Sequence, residues 1–189
     1  PQAGDIVIID RPAGELTITH RSGATSLKSL RCRGSVQLSG GTLSASEIDG
    51  DLSISGGTLG GNGDLSVGGM LTWTSGSVEG LGIVRVEKGI VIGVGNKAMQ
   101  GRTLQNVAKA TISGGFMNLG NAVFHNLPGG TVEVQNDFQF ASLPGTGRFI
   151  NEGLLLKSGG AGPLDFLWVP LDNSGTVEIR SGTLWLRGG

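Results

Sequence analysis

Asp49, Asp51 and Asp64 are the side chains with the most obvious capacity for chemistry. Asp51 opens the segment Asp51-Leu52-Ser53-Ile54, and Asp64 opens Asp64-Leu65-Ser66-Val67 thirteen residues later. The two therefore hold equivalent positions ahead of matching strands, with Glu47 and Glu79 nearby. Paired carboxylates on adjacent strands could serve a polysaccharide lyase or glycoside hydrolase, one as acid or base and one to stabilise charge. They could also hold Ca²⁺ weakly. The same placement suits a structural role, because an Asp before a strand closes a corner by accepting backbone N–H groups. No Asp-x-Asp-x-Asp-Gly loop is present to mark a dedicated Ca²⁺ site.

A second group belongs to binding. His125, Glu133, Glu178 and Trp185 all fall on outward positions of alternating strands, as do Thr17, Thr19, Gln37, Thr72, Arg85 and Gln139. Glu133 and Glu178 occupy matching places two repeats apart, on one face but about 10 Å from each other. Trp185 alternates with Leu184 and Leu186, so it points outward if those two are core. An exposed Trp stacks on a sugar ring, or covers a neighbouring domain. Two histidines, His20 and His125, with one cysteine make no zinc set. Cys32, between Arg31 and Arg33, reads as a half-buried structural thiol. No Ser/His/Asp order, HExxH, P-loop or dinucleotide fingerprint occurs, so neither cofactor nor metal is expected.

The elements that carry these residues are short and repetitive. Glycine supplies 36 of 189 residues without a Gly-X-Y period, and only 15% are charged. Collagen and disorder are thereby excluded, leaving many short strands with glycine turns. Net charge is −1, which speaks against a nucleic-acid partner and against an anionic membrane surface. No apolar run of eighteen exists, so membrane insertion is not expected either. Pro1 as the first residue and the strand-like final residues are expected of a fragment of a larger protein, with 1–189 forming a single domain.

The cycle Ser39-Gly40-Gly41-Thr42-Leu43 returns sixteen residues on as Ser55-Gly56-Gly57-Thr58-Leu59, again as Ser75-Gly76-Ser77-Val78, and late as Ser181-Gly182-Thr183-Leu184. Asn106, Asn126, Asn151 and Asn173 recur at intervals of 20, 25 and 22, each two residues after an apolar one. A cycle of about 21 residues cannot bury its own apolar face, so copies must stack. The fold expected is all-β: a right-handed single-stranded parallel β-helix of about nine coils and roughly 40 Å. Asparagines at one corner would then bond to those above and below, as a ladder. First strands are expected at Asp5–Ile9, closed by Arg11-Pro12-Ala13-Gly14, at Glu15–His20, and at Thr25–Leu30. The continuous run Leu164–Pro170 reads as a doubly buried strand or as a loop over the core.

The motifs Ser-Gly-Gly-Thr-Leu, Gly63-Asp64-Leu65-Ser66-Val67, Leu71-Thr72-Trp73-Thr74-Ser75-Gly76-Ser77-Val78-Glu79-Gly80 and Gly101-Arg102-Thr103-Leu104-Gln105-Asn106 resemble glycine-rich β-helix regions of very large exported bacterial proteins. Those are similar to filamentous adhesins and autotransporter passengers, in the pectate-lyase-like superfamily. The resemblance covers nearly the whole chain. It implies an extracellular or cell-surface stalk or adhesin-like module, with a polysaccharide or host glycan and neighbouring domains as partners. Because that superfamily also contains polysaccharide-cleaving enzymes, the resemblance leaves the Asp49, Asp51 and Asp64 alternative open.

Overall fold

The computed structural model describes residues 2, 4–10, 16–32, 34–143 and 146–188. The chain winds into a parallel β-solenoid of nine coils. Three sheets of nine strands run its length, and every strand pairs in parallel with its counterpart one coil away. The first sheet begins at Ile6–Ile9 and ends at Leu171–Asn173. The second runs from Thr17–His20 to Thr176–Ile179, and the third from Ala24–Ser26 to Thr183–Arg187. The described residues contain no helix, and hence none long and apolar enough to cross a membrane. The turn expected at Arg11-Pro12-Ala13-Gly14, the strand start at Glu15, Arg33 beside Cys32, Pro1 and Gly189 lie outside the described residues.

Period-two alternation turns one set of side chains inward on each sheet, and the register stacks them into columns. One column reads Val36, Leu52, Leu71, Ile90, Ala110, Val132 and Leu155. All seven are buried, each contributing about 1.5–3 kcal/mol where the side chain is Val, Leu or Ile. After a first coil of twenty-three residues, Ile6 to Ser29, the coils narrow and then widen along the rod. Leu38 pairs with Ile54, sixteen residues later, whereas Val134 pairs with Lys157, twenty-three later. The wider coils need larger fillers, and there the core becomes aromatic. Phe124 stacks on Phe149 at 5.0 Å between ring centres, Phe140 on Phe166 at 5.3 Å, and the two stacks meet edge to face.

The Ser-Gly-Gly-Thr-Leu cycle is a corner and the start of a strand in the third sheet. Its copies are in register, Thr42 against Thr58 and Leu43 against Leu59. Gly41 and Gly57 take φ of 70° and 71° there, and a Cβ on Gly57 would lie 2.7 Å from Gly41 O. Only glycine accepts both the left-handed backbone and the approach. The strand expected across Thr25–Leu30 is instead two, Ala24–Ser26 and Ser29–Cys32. Leu27 and Leu30 are three apart and both buried, which one alternating strand cannot achieve and a corner can. Leu27 N–H donates to Ser44 O (2.8 Å) and Lys28 N–H to Asp5 O (2.9 Å) at that corner. The 164–170 run likewise resolves into the strand Pro163–Leu167, a bend at Trp168 (φ 56°) and the buried Val169.

The asparagine ladder forms at the corner between the first and second sheets. It continues a column that begins with Val7, Leu30, Ile48, Val67 and Val86 and then becomes Asn106, Asn126, Asn151 and Asn173. Asn106 Nδ2 donates to Asn126 Oδ1 (2.8 Å), Asn126 to Asn151 (2.8 Å) and Asn151 to Asn173 (2.7 Å). The same Nδ2 groups also serve corner carbonyls, Ala108 O, Gly130 O and Gly153 O, so this inward turn leaves those carbonyls bonded.

Other corners are closed by buried cations. Lys97 Nζ donates to Gly93 O (2.5 Å) and Gly95 O and lies 6.0 Å from the centre of the Phe138 ring. Burial without a carboxylate partner pushes its ammonium down to about 8. Lys157 Nζ donates to Gly159 O (2.6 Å) and reaches Asp137 Oδ1 at 3.3 Å. Arg102 donates to Glu79 O through Nε (2.9 Å) and to Gly60 O through Nη2 (3.2 Å).

Candidate functional site

The outward columns decide which candidate residues meet. His125 lies on the first sheet between Gln105 and Ile150. Its Nε2 is 2.9 Å from Glu152 Oε2. Glu133 and Glu178 share a column of the second sheet with Leu156 between them, two coils apart as the spacing implies. Glu133 receives Lys109 Nζ at 2.6 Å and Ser158 Oγ at 2.8 Å. The lysine first, then the serine, hold its carboxyl below the ordinary value. Glu178 accepts from Arg180 Nε at 2.7 Å. Trp185 stands on the third sheet. The four residues thus occupy three different faces and do not form one site.

The aspartates are also distributed. Asp49 and Asp51 flank Gly50 at the corner between the first and second sheets, whereas Asp64 follows the third-sheet strand Thr58–Gly60 and precedes Leu65–Val67. Asp51 Oδ1 accepts Met70 N–H and Asp64 Oδ1 accepts Ile83 N–H, each at 2.8 Å. Both bonds reach across to the next coil. That is corner-closing work of the kind Asp does before a strand. Among the described residues no three His, Cys, Asp or Glu side chains gather as a metal site would need.

The arrangement with the most developed surface chemistry surrounds Trp185. Register sets Asn96, Phe116, Gln139, Asp165 and Trp185 in one outward column of the third sheet, one residue per coil. Alternation alone fixes their direction, since Met117, Phe140 and Phe166 beside them turn into the core. A groove of about 420 Å³ lies over this column, with Asp137 and Pro163 along one side and Arg187 along the other. A second hollow, about 460 Å³, adjoins it at Leu184–Arg187.

Asp165 is the anchor. It is 3% exposed although it points outward, because Gln139, Trp185 and Arg187 cover it. Gln139 Nε2 donates to its Oδ2 at 2.7 Å. Arg187 forms a fork, Nε to Oδ1 at 3.0 Å and Nη2 to Oδ2. Burial alone would raise the Asp165 carboxyl, but the bonds from Arg187 and Gln139 outweigh it and hold the group below its ordinary value. Arg187 is raised in turn, chiefly by its bond to Asp165. The fixed guanidinium lies over the indole of Trp185, 5.2 Å from the ring centre. A carboxylate beneath therefore holds an arginine, and the arginine holds a tryptophan that is still 47% exposed.

Gln139 was readable from alternation. For Trp185 the condition that Leu184 and Leu186 be core is not met, since Leu186 is 61% exposed in the last coil, and its outward position follows instead from the register that sets Leu186 beside the buried Phe166. Asp165, Phe116 and Arg187 were not singled out, yet a signal existed. Asp165 is a lone acid in the apolar stretch Leu164–Val169, one coil length before Trp185. Compared with protein-family models, curated proteins and solved structures, the chain matches none.

Proposed function

We propose that this chain is a rigid stalk or adhesin-like module of an exported bacterial surface protein, and that the Trp185 groove binds glycan. The observation that carries the proposal is the exposed indole, locked by Arg187 and Asp165 on a flat sheet face. A rigid aromatic plane beside polar groups is the chemistry that recognises a pyranose, whose faces are apolar and whose rim is hydroxylated. The nine-coil rod with its unbroken core supports the stalk role, since each internal coil is braced by both neighbours. The resemblance of the glycine-rich motifs to exported adhesins agrees with it. A carboxylate-based lyase or hydrolase using Asp49, Asp51 and Asp64 draws less support, because Asp51 and Asp64 sit at different corners and each accepts a backbone N–H.

The test is a glycan array probed with the purified chain and with Trp185→Ala. At least one glycan class should bind, and the substitution should weaken it about ten-fold, the scale of one aromatic stacking contact. An array without binders, or binding indifferent to Trp185→Ala, would overturn the glycan-binding reading of the groove and leave only the spacer role.

A further inference from the structure

The groove has a direction and a length that specify more than a sugar ring. Phe116 and Trp185 lie in one column, three coils apart. At about 4.8 Å per coil their Cα atoms are roughly 14 Å apart along the rod axis. Phe116 is half-buried and lines the same groove as Trp185. Between these two apolar plates lie Gln139 and Asp165, one to each coil. In an extended sugar chain joined through equatorial bonds, each unit advances by about one coil spacing.

The polar groups left unused indicate the charge of the ligand. Both Asp165 oxygens are occupied by Arg187 and Gln139. Asp137 uses Oδ1 for Lys157 Nζ and Gly162 N–H. Gln139 Oε1, Asp137 Oδ2 and Arg187 Nη1 have no partner among the described residues. One Gln139 Nε2–H and three Arg187 N–H also stay free to donate, so the site offers both acceptors and donors. With Arg187 paired to Asp165 and Lys157 to Asp137, no uncompensated cation remains for a carboxylated or sulfated sugar, and the groups suit hydroxyls. Resting on the glycan reading above, we infer that the groove takes a neutral, linear, equatorially linked polysaccharide. The ligand lies parallel to the rod axis, about four units across four coils, with its outer rings on Phe116 and Trp185.

The experiment is titration of the chain with β-1,4-linked glucose oligomers of two to six units, following tryptophan fluorescence and heat, beside an oligomer series of galacturonic acid. Affinity for the neutral series should climb up to about four units and then level off. Phe116→Ala, and Phe116→Leu as a variant that keeps apolar bulk, should weaken the six-unit ligand about ten-fold while leaving the two-unit ligand unchanged. Trp185→Ala should weaken every length. Thermal melting of each variant confirms that it is folded. If affinity ignores length, if Phe116→Leu leaves the six-unit ligand unaffected, or if the acidic series binds more tightly, this inference is wrong and the glycan-binding groove survives it. If neither series binds and the glycan array is also blank, both fall together.

Discussion

Replacing Asn126 with Val tests how the ladder stabilises the rod. Valine is the natural probe, because the same column holds Val67 and Val86 in earlier coils, so shape and strand preference are met. Asn126 accepts from Asn106 and donates to Asn151 Oδ1. Its loss strands the buried Asn151 Oδ1, whereas Gly130 O keeps the Leu154 N–H at 2.9 Å. Asn106→Val provides the comparison. Asn106 Oδ1 is already buried without a partner. Removing Asn106 frees Asn126 Oδ1 from its bond but deletes the existing orphan, so the end of the ladder simply moves up one rung. The internal substitution adds an orphan, and the terminal one exchanges one orphan for another. A buried acceptor without a partner costs about 1–3 kcal/mol. Asn126→Val should therefore be about 2 kcal/mol less stable than Asn106→Val. At an m-value of about 2 kcal/mol/M, that separates their urea midpoints by roughly 1 M. Equal midpoints would show that rung position is immaterial and that the amides do not act as a hydrogen-bonded series.

The remaining expectations concern Lys97 and the glycine corners. With Lys97 lowered from 10.5 to about 8, the unfolded chain binds a proton between those values that the folded chain has released. Stability should rise with pH across that window, by no more than roughly 3 kcal/mol. Lys97→Met should lose this rise relative to the parent in urea titrations at pH 7.5 and 10.5; parallel pH profiles for the two would refute it. Gly57→Val combines a forbidden φ of 71° with a Cβ 2.7 Å from Gly41 O, and should cost more than about 2 kcal/mol. Gly63→Ala, with nothing within 4 Å of its Cβ, should stay within about 0.5 kcal/mol of the parent, both glycine variants being measured by urea titration.

The architecture was legible because a solenoid repeats its reasons. Alternation exposed the strands, glycine marked the corners, and the 20 to 25 residue recurrence of asparagine announced a stacked column before any register was known. The charged interior was not legible. Lys157 shares the inward face of Leu155 by alternation, but a lysine at a core position gives no sign in the sequence of how its charge is met; it is 0% exposed and closes a corner through the carbonyls of Gly159 and Gly160. A long side chain can satisfy its head group several residues away, and alternation says nothing about that. Asp51 and Asp64 looked alike because both precede strands. They separate only when the third sheet is laid between them, which depends on where the chain turns.

The pairing of each strand solely with the coil on either side also determines how the rod would yield to force. Its two ends belong to the first and ninth coils. Tension applied between them loads one coil boundary at a time, so the rod would give way by peeling rather than by a single rupture. Each released turn adds its own contour to the length, about 55 Å for a sixteen-residue coil and about 80 Å for a twenty-three-residue one. The turn from Asn126 to Asn151, twenty-five residues, would pay out more chain than the turns on either side of it in the ladder.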